Sequence, residues 1–294
     1  MAQLNQKQVI GIIALSNGLN ENQRQTLSQL EKVLTRIGLE VRWAKKVFKT
    51  EGLYHATDRE RAKMLMDFYE DADIQAIFDV SGGDLANGVL PYLDYEVIKK
   101  HPKPFFGYSD LSVVVNAIHT KTGQVTYLYQ LKNLVKERAN LQVQWFYETL
   151  LQNKDSLFNF DFTWIQGQKM EGKVVGGNIR CLLKLAGTEY WPSFKGKILL
   201  LESYSGDPFK MATFLNQYKQ LGAFNEINGL ILGHFTEMQQ KEYKPDIISL
   251  VQEIIEHDQL PIIKTEQIGH GADSKCAIIG KTLSFNREGG DFDE

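Results

Sequence analysis

The chain has 294 residues, of which 43% are hydrophobic and 23% charged, and its formal net charge is −3. That balance suits a globular protein with one large or two ordinary domains, and it excludes the basic field that nucleic acid or anionic lipid requires. No stretch approaches the roughly 20 apolar residues of a membrane span, and the polar start lacks the features of a signal peptide. The expectation is a soluble cytoplasmic protein with neither membrane nor nucleic-acid partner. Cys181 and Cys276 lie far apart in apolar settings and read as reduced, buried small hydrophobes.

Residues 9–15 (VIGIIAL) form a nearly continuous apolar run, as in a strand buried on both faces of a parallel sheet. Ser16-Asn17-Gly18 is a turn, and Leu27, Leu30, Val33, Leu34 and Ile37 then recur at helical spacing. A strand follows at 40–44. Thr57 and Glu60 make a capping box that opens a helix to about residue 69. Strands at 75–80 and 104–106, a helix at 111–120 and a strand at 124–129 continue the alternation. Helical signal covers 141–152. The pattern predicts an α/β domain with a largely parallel sheet over residues 1–155.

The stretch 156–175 is polar, spotted with aromatics and without clean periodicity, so it is read as a linker. A second domain, 176–294, carries strand signal at 197–201, 229–232, 261–264, 276–279 and 282–285. Helical signal lies at 209–221 and 246–257. The tail Gly289-Gly290-Asp291-Phe292-Asp293-Glu294 is expected to fray.

The sharpest local feature is Gly107-Tyr108-Ser109-Asp110, between a short strand and an apolar helix. A serine at such a turn is lifted above the sheet edge, with helix N–H groups behind it for an oxyanion. The same serine equally suits an ordinary helix N-cap. Ser81-Gly82-Gly83-Asp84 follows the third strand, where paired glycines allow close backbone approach to a ligand or form a simple turn.

A nucleophilic serine needs a base and an acid that orients it. Of six histidines, His55, His101 and His257 sit in polar surroundings and read as solvated, and His119 ends a helix. His234 follows an apolar strand, and His270 lies in the glycine-flanked Gly269-His270-Gly271. Glu202 ends an apolar strand, with Asp207 and Asp273 as alternatives. No histidine pair or cysteine cluster has metal-ligand spacing, so no metal or other cofactor is expected. The turn after the first strand lacks the glycine pattern of a dinucleotide site.

Taken in order, these motifs resemble the LD-carboxypeptidases, a group of serine peptidases that includes muramoyltetrapeptide carboxypeptidases and microcin C self-immunity peptidases. Ile10-Gly11-Ile12-Ile13-Ala14, Thr57-Asp58-Arg59-Glu60-Arg61, Leu90-Pro91-Tyr92-Leu93-Asp94 and Phe106-Gly107-Tyr108-Ser109-Asp110 carry the resemblance in the first half. Gly176-Gly177-Asn178, the strand ending in Glu202, and Gly269-His270-Gly271 carry it in the second.

The resemblance implies a flavodoxin-like N-terminal domain, a smaller mixed α/β C-terminal domain and a homodimer. It implies Ser109 as nucleophile, His270 as base and Glu202 as its acid, with an oxyanion hole from the backbone N–H groups of Gly83 and Asp110. The implied reaction is hydrolysis of an amide to a terminal D-amino acid, typically D-alanine release from a murein tetrapeptide. For the substrate's carboxylate, Gly82, Asp84 and Asn178 are candidates, as are Arg180 and Lys275.

Ser81 and Asp84 stand where many murein-recycling members carry an arginine and an aromatic residue, and this form is closer to the microcin-immunity branch. Residues 203–209 and Thr126-Tyr127-Leu128-Tyr129 also depart from the family pattern. An alternative substrate is therefore an aminoacyl- or peptidyl-nucleotide antibiotic. A catalytically silent peptide-binding protein is the alternative of another class.

Overall fold

The structure, a computed structural model, describes residues 3–49 and 55–287. The strands of the first half are β1 (Val9–Ile13), β2 (Glu40–Trp43), β3 (Ile74–Asp79), β4 (Phe105–Gly107) and β5 (Thr126–Leu128). Those of the second are β6 (Thr163–Gln166), β7 (Lys169–Asn178), β8 (Ile198–Ser203), β9 (Gly229–Phe235), β10 (Ile262–Lys264), β11 (Ala277–Ile279) and β12 (Thr282–Asn286). Between them run α1 (Arg24–Arg36), α2 (Asp58–Glu70), α3 (Tyr95–Lys100), α4 (Ser112–Thr122) and α5 (Ala139–Gln152). The later helices are α6 (Ile179–Leu182), α7 (Pro208–Gln220), α8 (Ala223–Glu226), α9 (Thr236–Gln240) and α10 (Ile247–Ile255).

The first sheet has the order β2-β1-β3-β4-β5-β11, with its first five strands parallel and β11 antiparallel at the edge. This is the flavodoxin-like order, and its switch point falls between β1 and β3, where the chain departs to opposite sides. Loops at the carboxyl ends of these strands therefore open a crevice. The second sheet has the order β12-β7-β8-β9-β10-β6, parallel in its four central strands and antiparallel at both edges.

Continuous apolar runs mark the central strands because both faces are covered. Ile198 to Ser203 are buried throughout β8. One apolar cluster passes from Leu65 and Ile77 through Val114 and Ile118 into Val175, Leu200 and Ile231, so the two halves share a core. A second cluster covers the other face of the first sheet, where Phe78 stacks on Phe106 at 4.3 Å and Phe106 on Tyr127 at 4.4 Å.

Helix α4 lies at the junction, and every residue from Ser112 to His119 is buried. It touches β4 and β5 on one side and β7 and α6 on the other. The capping box of α2 forms as its spacing predicts: Glu60 N–H donates to Thr57 Oγ1 and Thr57 N–H donates to Glu60 Oε2.

Residues 156–175, read from the sequence as a linker, hold β6 and most of β7. Met170, Gly172 and Val174 are buried while Lys169, Glu171 and Lys173 are exposed, a period of two whose apolar signal is missing at Gly172. A Cβ at Gly172 would meet the Gly196 carbonyl at 2.7 Å, so close packing replaced an apolar side chain with none. Strand β11, from the stretch expected as a C-terminal domain, joins the first sheet. The tail 289–294, expected to fray, lies outside the described residues.

Candidate active site

Strand β4 ends at Gly107, and the chain turns through Tyr108 (φ −151°, ψ 157°) into Ser109, whose φ is +56°. A non-glycine residue in the left-handed region costs about 1–3 kcal/mol and persists only where the surroundings enforce it. Asp110 and Leu111 then begin a turn that leads into α4. Glycine is needed at 107 because a Cβ there would stand 2.6 Å from Leu111 Cβ. Between the two readings that the sequence left open for Ser109, the backbone is that of a strained elbow and differs from an extended N-cap.

Asp110 is fully buried. Its Oδ2 accepts from Ser16 Oγ at 2.6 Å and from Ala86 N–H at 2.9 Å, and its Oδ1 accepts from Lys184 Nζ. One carboxylate thus gathers the loop after β1, the loop after β3 and the helical turns that follow α6.

The glycine pair after β3 is shaped by Asn17. Asn17 Oδ1 accepts from Asp84 N–H at 2.8 Å and Leu85 N–H at 3.2 Å, which leaves the Gly83 N–H outside these bonds. Gly83 has φ +130°, and a Cβ on it would overlap the Asn17 side chain at 2.2 Å. Beneath the loop, Asp79 accepts from Ser81 N–H, Ser81 Oγ and Leu15 N–H. No cation among the described residues forms an ion pair with it, and burial pushes its carboxyl up to about 6. Arg61, also fully buried, donates to the carbonyls of Leu15, Ser16 and Leu85 and so ties the β1 and β3 loops together.

Across the crevice, Glu202 is fully buried near the end of β8. Space for it comes from Gly233 on β9, where a Cβ would stand 3.0 Å from Glu202 Cβ. Glu202 Oε2 lies 2.8 Å from His270 Nδ1, and Glu202 Oε1 has no partner among the described residues. An ionised carboxylate only accepts, so Nδ1 carries the proton and Nε2 presents its lone pair. The His270 ring sits between Tyr108, at 4.4 Å, and Tyr204, at 4.9 Å.

The loop that carries His270 is fastened to the first half of the chain. Gln142 Nε2 donates to the carbonyls of Ala272 and Ser274, while Gln142 Oε1 accepts from Tyr129 Oη. The glycine loop is thus tied to Asp110, the neighbour of Ser109, and the His270 loop is tied separately to Gln142 and Tyr129.

The remaining candidates divide clearly. Asn178 spends its side chain as the cap of α6, accepting from Cys181 N–H, and its own N–H donates to Ser112 Oγ. Asp207 caps α7 through Lys210 N–H. His234 bonds Thr236 Oγ1 through Nδ1, and burial holds its pKa below the ordinary value. Lys275 Nζ donates to the Ser156 carbonyl and stands 3.3 Å from the centre of the Trp145 ring, so it is committed elsewhere. Gly82 has open space around its Cα, Asp84 is exposed at the rim, and Asp273 lies in the His270 loop.

His101 and His257 are exposed. His55, expected to be solvated, is buried instead. Its Nε2 lies 2.9 Å from the Ala14 carbonyl, and it packs where a Cβ on Gly18 would come within 2.6 Å of its ring. Its polar sequence neighbours conceal a contact 41 residues away in the chain. Nothing in the sequence marks Ser16, Asn17, Arg61, Gln142 or Lys184 as shaping the site, because each acts through partners distant in the chain. Among the described residues there is no cluster of side chains arranged to hold a metal ion.

Residues 10–129 match the family model of the LD-carboxypeptidase N-terminal domain, and residues 171–285 that of the LD-carboxypeptidase C-terminal domain. The chain belongs to the LD-carboxypeptidase family. A probable murein peptide carboxypeptidase of Bacillus subtilis is 26% identical over 96% of this chain and 90% of its own. The microcin C7 self-immunity protein MccF of Escherichia coli is 24% identical over 86% of this chain and 83% of its own. A solved structure of MccF shares the fold at a TM-score of 0.87 and 22% identity, covering 98% and 95% of the two chains. The muramoyltetrapeptide carboxypeptidase of Oxalobacter formigenes shares it at 0.77 and 23%, covering 94% of each. The two-domain LD-carboxypeptidase fold expected from the sequence is thus the one observed, and the family is one of peptidases. No helix among the described residues is long and apolar enough to cross a membrane.

Proposed function

We propose that this chain is a serine carboxypeptidase that hydrolyses the amide to a C-terminal D-amino acid, releasing D-alanine from a murein tetrapeptide. One observation carries the reading: a serine at φ +56° directly follows Tyr108, whose ring lies 4.4 Å from that of a histidine whose Nδ1 is held 2.8 Å from a fully buried carboxylate. Names of family relatives that act on murein peptides support the substrate class.

In this mechanism Ser109 Oγ attacks the carbonyl carbon as His270 Nε2 takes its proton. Glu202 stabilises the imidazolium without becoming protonated. The oxyanion is met by the N–H groups of Gly83 and Asp110. Collapse of the tetrahedral intermediate breaks the C–N bond, and His270 returns the proton to the departing amine. Water, deprotonated by His270, then attacks the acyl-serine and restores the enzyme. We infer a cytoplasmic homodimer, in keeping with the family resemblance.

A second reading, cleavage of an aminoacyl-nucleotide conjugate, is favoured by Tyr204 and Phe209. Tyr204 is exposed on the loop after β8 beside His270, and Phe209 is exposed in the first turn of α7; both rings are free to stack on a base.

Mass spectrometry of a murein tetrapeptide incubated with the protein tests the assignment, with Ser109→Ala as control. Loss of a single D-alanine with the wild type alone is the expected result. Intact tetrapeptide would overturn the murein substrate, and equal cleavage by the variant would overturn Ser109 as nucleophile.

A further inference from the structure

An exopeptidase must tell a free carboxylate from a continuing chain. Three cations come into question from their place in the sequence and the fold: Arg180, Lys184 and Lys275. Lys275 faces Trp145 and the Ser156 carbonyl, away from the crevice. Lys184 is largely buried and committed to the Asp110 carboxylate and the Asp84 carbonyl.

Arg180 differs from both. Its Nη1 donates to Asp84 Oδ1 at 2.6 Å and its Nη2 to the Gly83 carbonyl at 3.3 Å, while its side chain remains 48% exposed. Asp84 is likewise exposed, at 57%, so the pair contributes little net stability and a second carboxylate competes for it readily. The guanidinium has five donors, and these two bonds leave donors in the planar fork that carboxylates match.

Position completes the case. In a peptide cut at its last bond, the terminal carboxyl carbon lies three bonds from the reacting carbonyl, about 3–4 Å away. With the oxyanion on the Gly83 N–H, the carboxylate falls within reach of a guanidinium already bonded to the Gly83 carbonyl.

We propose that Arg180 is the carboxylate-binding residue of this site: it takes the free C-terminal carboxylate of the substrate, and Asp84 holds the guanidinium in place between turnovers. The inference rests on the carboxypeptidase reading above and deepens it.

The test compares a murein tetrapeptide ending in free D-alanine with the same peptide capped as a C-terminal amide. Wild type, Arg180→Met and Arg180→Lys are assayed on both. Loss of a charge-assisted hydrogen bond predicts a KM for the free acid raised about 10- to 100-fold in Arg180→Met. The change in kcat is small, the amide is unaffected, and Arg180→Lys recovers part of the difference. An unchanged acid-to-amide ratio in Arg180→Met overturns the proposal.

Calorimetric binding of both peptides to Ser109→Ala, with and without Arg180→Met, separates this inference from the reading beneath it. A preference for the acid that vanishes with Arg180 supports the subsite even where the wild type cleaves neither peptide, an outcome that sinks the peptidase reading alone. Equal affinity for acid and amide overturns the subsite whatever the wild type cleaves.

Discussion

His270 Nδ1 and Glu202 Oε2 stand 2.8 Å apart, and the carboxylate is sealed from solvent while the imidazole is not. That asymmetry is what a base at the edge of a crevice requires: a buried charge that fixes the tautomer, behind a ring that reaches the reacting atoms.

Glu202→Gln keeps the shape and removes the charge. The amide lets His270 take the wrong tautomer and no longer stabilises the imidazolium, so kcat should fall by about 10³- to 10⁴-fold with KM little changed. Steady-state kinetics on the tetrapeptide check this. A loss smaller than tenfold would remove Glu202 from the mechanism.

Gly83→Ala tests the glycine loop. The added methyl overlaps the Asn17 side chain at 2.2–2.5 Å, at a φ of +130° that alanine rarely adopts. Relief requires Asn17 to move, and with it the two N–H groups of Asp84 and Leu85 that it holds. Displacing one oxyanion donor predicts a kcat about 10²- to 10³-fold lower. Wild-type kcat in a folded variant would show that the Gly83 N–H takes no part.

How much of this was legible in the sequence depends on the range of each interaction. The run from residue 9 to 15, the Thr57–Glu60 box and the elbow around Ser109 are local patterns, and each has its structural counterpart. Strand β7 was obscured because Gly172, Gly176 and Gly177 replace apolar side chains where chains approach closely. A Cβ on Gly177 would lie 2.5 Å from Ser112 Oγ, across the junction between α4 and β7. His55, Arg61, Gln142 and Lys184 were invisible as site-shaping residues because their partners lie tens of residues away. Single-residue chemistry marks a charged or polar side chain, and only the fold decides which loop it holds.

Lys184 is the clearest of these hidden residues. It neutralises Asp110, whose carboxylate is fully buried, so Lys184→Met leaves that charge without its cation. The expected cost is about 3–5 kcal/mol in urea unfolding. The double variant Asp110→Asn with Lys184→Met keeps acceptors for Ser16 Oγ and Ala86 N–H while removing the charge, and it should recover more than half of the loss. Additive penalties would mean that the pair is not coupled.

The last prediction concerns Asp79, fully buried beneath the glycine loop, with a carboxyl raised from 3.8 to about 6 chiefly by burial. Hydrogen bonds from Ser81 and Leu15 and the charge of Lys132 oppose that rise without cancelling it. Lys132 is itself held down at about 8, mainly by burial. Because the folded state keeps the Asp79 proton to a higher pH than the unfolded chain, folding is favoured while the carboxyl is protonated. This contribution is complete below about pH 4 and lost as pH rises through about 6, a fall of about 3 kcal/mol. Asp79→Asn carries no proton to lose. Its nitrogen cannot accept from Leu15 N–H, so the variant starts weaker by about 1–3 kcal/mol at acid pH. Urea titrations from pH 4 to 7 should show the wild type losing about 2 kcal/mol more than the variant over that range, so the gap between them closes toward neutrality. Parallel pH profiles would mean that Asp79 stays ionised throughout and that its three hydrogen bonds fully offset its burial.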